Sequence, residues 1–184
     1  MKNRDESVEL LQQYIESENL RHHCHMVARA MEAYARKLDK FHEEIEAWWA
    51  AGLLHDLDWE KYPAEHPKKA VEEILPKEGY PEAIITAIEA HAPERTGREP
   101  ETEIERYLFA CDELSGFMNA VSLVRPNGFA DMRVKSVTKK LKDSSFAADV
   151  PREDIKKGAQ LIDTDVNDHI TFLIEVFKED TQPQ

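Results

Sequence analysis

Hydrophobic positions recur along this chain at intervals of three and four residues, and no stretch shows a convincing alternation of apolar and polar side chains. This pattern predicts a protein made of α-helices. The expected helices cover residues 5–16, 20–38, 42–57, 67–75, 81–91, 102–123, 131–142, 151–161 and 165–178. Pro67, Pro81 and Pro151 suit first helical turns, where a missing backbone donor costs little.

The connections between these helices are short and polar, so none of them is expected to separate two domains. With 184 residues, the chain can bury one complete hydrophobic core. We therefore predict a single all-α domain over residues 1–184, a compact helical bundle. The central part is expected to consist of approximately residues 20–123, and the helices within residues 131–178 are expected to pack on it.

Composition narrows the functional classes. An apolar share of 41% and a mean hydropathy of −0.62 are typical of a soluble protein, and no apolar run approaches the roughly 20 residues of a membrane span. The charged N-terminus lacks the pattern of a signal peptide, so a cytoplasmic protein is expected. Cys24 and Cys111 fall inside helical patterns and are expected to be core thiols. A net charge of −13 argues against a nucleic-acid surface, but it leaves room for a small anionic ligand.

A histidine and an aspartate follow the most apolar run of the chain. The segment between Ile45 and Leu54 is apolar on nearly all sides, which is typical of a fully buried helix. His55 and Asp56 come directly after it, at the end of the predicted helix. Alone, such a histidine is more often a hydrogen-bonded core residue and such an aspartate a helix cap. The other helices change this interpretation.

Further histidines and an aspartate occupy predicted inner faces. His23 lies within the apolar stripe of its helix, whereas His22 and His25 project to the opposite side. An aspartate on a core stripe is costly unless it is paired or bound to a metal. The complete inward set is His23, His55, Asp56, His66, His91 and Asp112.

Four imidazoles and two carboxylates are the ligands of a transition-metal site that needs no thiolate. We predict that this set binds a divalent transition metal such as Fe, Mn, Zn, Co or Ni, and Mg also fits the carboxylates. Asp56 and Asp112 supply negative charge that compensates the ion, and an aspartate can bridge two ions.

The order His, His-Asp, His, His, Asp across residues 23–112 resembles the HD-domain superfamily of metal-dependent phosphohydrolases, with AGLLHDLD as the setting of the name-giving pair. The segments ACDELSGFMNAVSLVRP and KSVTKKLKDSSFAADVPRE resemble a bacterial subgroup of small HD-domain hydrolases, so the resemblance covers nearly the whole chain. It implies a phosphodiesterase-like helical bundle that holds the metal between its central helices.

The resemblance also implies ligand roles for the six residues. His23, His55, Asp56 and Asp112 correspond to the ligands of a first metal, and His66 and His91 to those of a second. Two metals are therefore expected, with Asp56 as a bridging ligand and as the catalytic residue that orients the attacking water. The implied activity is hydrolysis of a phosphomonoester or phosphodiester, with a small nucleotide-like phosphate as the partner.

Two other functions remain open at this point. A diiron HD-type oxygenase needs the same ligands, and a non-catalytic, metal-stabilised regulator that binds a nucleotide is a further alternative. The tripeptide Gly79-Tyr80-Pro81 precedes His91, so we interpret it as a helix stop and start instead of the HD-GYP signature of cyclic-dinucleotide phosphodiesterases.

Residues that contact the substrate are harder to identify from the sequence. Arg125 and Lys135 belong to the basic concentration of an acidic chain, and Lys61 follows the His-Asp pair. Each is a candidate phosphate contact, and a solvated helix face is the other interpretation of the basic residues. Asp58 and Glu113 flank predicted ligands, either as partners that orient histidines or as solvated acids. The oligomeric state is not indicated by the sequence.

Overall fold

A computed structural model describes residues 1–178 of the protein, and this range contains helices and turns but no strand. The predicted all-α fold is confirmed. A π-helical segment, Ala70–Ile74, runs directly into α4. The helices are α1 (Arg4–Tyr14), α2 (Glu18–Lys37), α3 (His42–Leu54), α4 (Leu75–Lys77), α5 (Glu82–Ala90), α6 (Pro93–Thr96), α7 (Glu103–Leu123), α8 (Val134–Leu141), α9 (Arg152–Leu161) and α10 (Val166–Lys178).

The chain forms two compact units that divide after Phe109, within α7. The first unit begins at Met1 and contains α1 to α6, and the second begins at Ala110 and contains α8 to α10. The prediction of one domain over residues 1–184 extends to residues 179–184, outside the described part. The expected packing of the C-terminal helices on the central part stays a prediction. Among the described helices, none has the length and apolar character needed to cross a membrane.

In the first unit, α2 and α3 approach each other unusually closely. The residues of α3 from Trp48 to Leu54 are all buried, as the apolar run predicted. A Cβ atom on Gly52 would lie 2.8 Å from both Cα and the backbone nitrogen of Ala28. Glycine is therefore required at position 52, because any side chain would collide with the backbone of α2. This contact places the end of α3 beside the first half of α2.

Helix α3 ends earlier than the sequence pattern predicts. The expected helix continues to residue 57, but the structure turns after Leu54, with backbone hydrogen bonds from Leu57 to Leu54 and from Trp59 to Asp56. The buried carboxylate of Asp58 accepts the backbone N–H of Ala70 at 2.8 Å and ties the turn to the next helical segment. Hydrophobic periodicity does not reveal such a side-chain acceptor.

Two other boundaries test the predicted turns. Gly79 has a φ of +78°, and it lies between the end of α4 and the start of α5, which confirms the helix stop and start. The four-residue helix α6 was not predicted, since its polar sequence was interpreted as a connection. Its end at Gly97, with φ of +76°, follows the usual preference for glycine in a left-handed C-cap.

In the second unit, His169 is buried although its segment is polar in sequence, and its Nε2 lies 2.9 Å from the carbonyl oxygen of Ala110. It shares the inner face of α10 with Ile170 and Leu173, and this face is buried. Gly158 of α9 also lies against Ala110, since a Cβ at position 158 would come within 2.7 Å of its Cα. Both predicted core thiols, Cys24 and Cys111, are buried.

Candidate metal centre

His55 and Asp56 occupy the tight turn at the end of α3. His55 is completely buried, and its Nδ1 donates a hydrogen bond of 2.8 Å to the carbonyl oxygen of Gly52. Because a carbonyl can only accept, Nδ1 carries a proton, and Nε2 on the other side of the ring points toward Asp56. The glycine that permits the close approach of α2 and α3 thus also orients the first histidine ring.

His66 is held by a carboxylate instead of a carbonyl. Its Nδ1 lies 2.7 Å from Oδ1 of Asp58, and both side chains are buried. The other oxygen of Asp58 accepts the N–H of Ala70, so both of its oxygens have donors. Carboxylate-histidine pairs of this kind fix the ring orientation and raise the basicity of the opposite nitrogen in metal sites. The structure therefore gives Asp58 the orienting role that the sequence left open.

His91 follows the last residue of α5 and has a partner of the same type. Its Nδ1 donates to the carbonyl oxygen of Ile88, one helical turn earlier. The end of a helix has carbonyl groups without intrahelical partners, and the His91 ring satisfies one of them. His91 is buried, and its Nε2 points toward the carboxylate of Asp56.

The Nε2 atoms of four histidines converge on the carboxylate of Asp56. Oδ2 lies 3.3 Å from Nε2 of His55 and 3.8 Å from Nε2 of His23. Oδ1 lies 3.6 Å from Nε2 of His66 and 4.0 Å from Nε2 of His91. Each oxygen of Asp56 therefore faces a different pair of imidazoles, which is the arrangement expected of a carboxylate that bridges two ions.

The charge distribution of this cluster fits a divalent metal. Nε2 of His23 lies 3.2 Å from Nε2 of His55, and ligand atoms of Asp56, His66 and His91 all lie within 4.8 Å of one another. His55, His66 and His91 direct their Nε2 atoms toward the carboxylate of Asp56, so nitrogen and oxygen donor atoms lie close together. Imidazole nitrogen with carboxylate oxygen is a donor set that suits Zn, Fe, Mn, Co or Ni.

One side of the cluster around Asp56 is accessible to solvent. His55, His66 and His91 are buried, whereas His23 and Asp56 are partly exposed. His22 is exposed on α2, as predicted, but His25 is half-buried, and burial together with His22 and Arg21 lowers its pKa. Solvent and ligands can therefore reach the cluster from the side of α2.

The remaining predicted site residues lie elsewhere. Asp112 belongs to the second unit, where it is half-buried on α7, and its role as a ligand stays a prediction. Nζ of Lys61 donates to the backbone oxygen of Gln13 at 2.6 Å. Lys61 therefore has a structural partner, and its role as a substrate contact also stays a prediction.

The basic residues of the second unit surround a cavity of about 530 Å³, which both Arg125 and Lys135 line. The guanidinium of Arg125 is held by Asp131 at 2.6 Å and by the hydroxyl of Ser136 at 3.1 Å. The side chain of Lys135, in contrast, is exposed to solvent. Contact of either residue with a substrate phosphate stays a prediction.

The sequence analysis did not identify two residues that contribute to the site. Gly52 sets the distance between α2 and α3, and its signal was a glycine inside an otherwise large apolar run. Trp59 packs edge-on against His66, with ring centroids 4.8 Å apart. An aromatic residue directly after the His-Asp turn was the available signal, but its exposure could not be predicted from periodicity.

The comparisons with known proteins agree with this centre. A family model described as HD domain matches residues 20–116, which is more than half of the chain. This range includes all six predicted ligands, from His23 to Asp112. Comparison with curated proteins gives no match, and comparison with solved structures gives none either.

Proposed function

Because this chain belongs to the HD-domain family, which is a family of metal-dependent hydrolases, we propose that it is a phosphohydrolase that cleaves a phosphomonoester or phosphodiester of a nucleotide. The observation that supports this most strongly is the division of the Asp56 oxygens between two pairs of histidines. Two ions a few Å apart are the usual arrangement for displacement at phosphorus. A mononuclear site would need fewer imidazoles.

The proposed ligand assignment follows the two oxygens of Asp56. His23 and His55 face Oδ2 and would hold the first ion, with Asp112 in the ligand role that the resemblance implies. His66 and His91 face Oδ1 and would hold the second ion. When bound, divalent ions lower the pKa of coordinated water and stabilise negative charge on phosphoryl oxygens.

The side chains of the protein contribute orientation and proton placement. Gly52, Asp58 and Ile88 accept the Nδ1 protons of three histidines, which directs the opposite nitrogens at the centre. Asp56 is partly exposed, so its carboxylate can accept a hydrogen bond from the attacking water and orient it. The partly exposed side at His23 is the proposed entry of the substrate.

Metal content and turnover test the proposal together. Full-length protein purified without a histidine tag or chelator is analysed by elemental mass spectrometry, and phosphate release is measured with nucleoside monophosphates and bis(p-nitrophenyl) phosphate. We expect close to two equivalents of transition metal and hydrolysis that chelation abolishes. His22→Ala is the matched control, because His22 lies on the same helix and is exposed.

Other outcomes would point to the alternative functions. Oxygen consumption by an iron-loaded protein, without phosphate release from any of these substrates, would replace the hydrolase by an oxygenase. Full metal loading together with nucleotide binding and no turnover would indicate a regulator. A wild-type protein that never exceeds one equivalent of metal would refute the binuclear assignment.

A further inference from the structure

A surface groove adjoins the candidate metal centre in the first unit. Its volume is about 530 Å³, which lies within the range of pockets that bind small ligands. The groove shares His23 with the cluster around Asp56, so its inner end lies at the partly exposed side of the centre. The groove is lined by Ser17, Asn19, Leu20, His23, Trp59 and Glu60.

Trp59 is the large aromatic side chain of this groove. It is 40% exposed, whereas Trp48 is 4% and Trp49 is 8% exposed. The exposed surface of Trp59 lies beside the candidate metal centre, where an aromatic ring is available to a ligand in the groove. Its backbone N–H donates to the carbonyl of Asp56 at 2.9 Å, which ties its position to the turn that carries the bridging carboxylate.

The ring of Trp59 is held in place from two directions. The guanidinium of Arg95 lies over the ring, 4.9 Å from its centroid, and Nη1 of Arg95 is itself fixed by the carbonyl of Pro63 at 3.0 Å. The ring of His66 packs nearly perpendicular to the indole, at an interplanar angle of 84°. These two contacts hold the indole in place, and the part of it that stays exposed borders the groove.

We propose that Trp59 stacks on the base of a nucleotide substrate whose phosphate lies at the metal end of the groove. The proposal rests on the proposed phosphohydrolase function and names the part of the substrate that this groove recognises. The contacts with Arg95 and His66 make the indole a preoriented platform, so little side-chain entropy is lost on stacking. Bases stack on such platforms regardless of their identity, so purine and pyrimidine nucleotides both fit.

The charges along the groove fix the orientation of the substrate. Glu60 also lines the groove, and its carboxylate oxygens accept the backbone N–H groups of Glu16 at 3.1 Å and Ser17 at 3.0 Å. A fixed carboxylate disfavours a phosphate beside it, whereas a cationic centre at His23 attracts one. Asn19 offers both a donor and an acceptor, the polar groups that the edge of a base requires.

Fluorescence quenching tests the stacking without relying on turnover. Acrylamide quenches exposed tryptophan, so Trp59 accounts for the accessible signal of the full-length protein. We expect AMP and CMP to protect this signal in a saturable manner, and ribose 5-phosphate to leave it unchanged. Phe41→Ala is the matched control, because Phe41 is a 78% exposed aromatic of the same unit that does not line the groove.

Steady-state kinetics on the metal-loaded protein supply the second readout. Trp59→Ala should raise KM for nucleoside monophosphates about tenfold to a hundredfold, in line with the usual strength of base stacking on an aromatic ring. Hydrolysis of ribose 5-phosphate should change less than twofold. Trp59→Phe should recover most of the affinity, and its circular dichroism and thermal unfolding show whether the fold is kept.

The outcomes separate the two proposals. Saturable protection by AMP and CMP without any hydrolysis would keep the base-binding groove and overturn the hydrolase. Hydrolysis of nucleotides with the same KM in wild type, Trp59→Ala and Trp59→Phe would keep the hydrolase and overturn the groove. Equal protection by ribose 5-phosphate would also overturn stacking, because this compound has no base.

Discussion

Asp58 and His66 form a buried pair in which Oδ1 of the carboxylate lies 2.7 Å from Nδ1 of the imidazole. The second oxygen of Asp58 also has a hydrogen-bond donor, the backbone N–H of Ala70. One side chain thus links the turn after α3 to the next helical segment and orients a proposed ligand.

Asp58→Asn tests this relationship. An asparagine has one acceptor oxygen, so either His66 Nδ1 or Ala70 N–H must face the amide nitrogen. We expect the affinity of the second metal position to fall about tenfold to a hundredfold, as for other partners of ligating histidines. The free energy of unfolding should fall by about 1–3 kcal/mol because a buried donor is left unsatisfied. Competition with a chromogenic chelator and urea unfolding measure the two effects.

Glu65→Gln is the control for this variant, since it removes an exposed carboxylate from the same loop. It should leave both the metal affinity and the unfolding midpoint unchanged. Equal metal affinity in Asp58→Asn and wild type would show that His66 is oriented without its carboxylate partner.

Gly52→Ala tests the close approach of α2 and α3. The added Cβ would lie 2.8 Å from the backbone of Ala28, which cannot rotate away. Overpacking of this kind lowers the free energy of unfolding by about 1–3 kcal/mol. The substitution would push α2 and α3 apart, and with them His23 and His55. Metal binding should therefore weaken as well, and isothermal titration with Zn²⁺ measures this loss of affinity.

A second substitution distinguishes backbone collision from side-chain crowding. Ala28→Gly in the Gly52→Ala background should not restore stability, because the closest contacts are to Cα and N of residue 28. Recovery of the wild-type unfolding midpoint in the double variant would mean that the methyl group of Ala28 was the obstacle.

Ligand variants should separate the two metal positions. His91→Ala is expected to retain about one equivalent of metal, because it removes a partner of Oδ1 and leaves His23 and His55 facing Oδ2. Asp56→Ala is expected to lose both, since each position depends on one of its oxygens. Elemental analysis after gel filtration, with His22→Ala as the reference, gives the counts. Retention of one full equivalent by Asp56→Ala would contradict a shared carboxylate.

The stability of the first unit should depend on pH through Glu105. Burial alone would raise the pKa of this carboxyl, but backbone N–H groups of Thr102 and Glu101 and the guanidinium of Arg98 outweigh it and lower the pKa below its ordinary value of 4.5. A lowered folded-state pKa means that the contribution to stability is present above pH 4.5 and is lost as the pH falls through the folded-state value.

Glu105→Gln should therefore destabilise the protein at pH 7 and make little difference in acid, where the wild-type carboxyl is also neutral. Thermal unfolding between pH 7 and pH 3 should show the two melting curves converging as the pH decreases. Glu101→Gln is the control, because its exposed side chain should not alter the pH profile. A constant difference at every pH would assign the effect to shape instead of charge.

Much of the architecture could be predicted from the sequence because apolar spacing determines which helix faces are buried. The apolar run before His55 predicted a buried helix, and α3 is buried from Trp48 to Leu54. The convergence of His23, His55, Asp56, His66 and His91 also agrees with their predicted inner faces.

Other features depend on contacts that a linear pattern does not contain. The bend after Leu54 requires an acceptor at Asp58 and donors eight and twelve residues later. The buried position of His169 requires a carbonyl on a different helix, at Ala110, which compensates the polar ring. A polar segment can therefore be buried when a distant backbone group supplies the hydrogen bond.

Under the proposed assignment, the single carboxylate of Asp56 would make the two metal positions depend on each other. An ion held by one oxygen would fix the torsion angle of the carboxylate, and the same torsion sets the place of the other oxygen. Whatever free energy the first ion contributes to binding of the second, the second contributes equally to binding of the first. The affinity measured at one position would therefore change with the occupancy of the other.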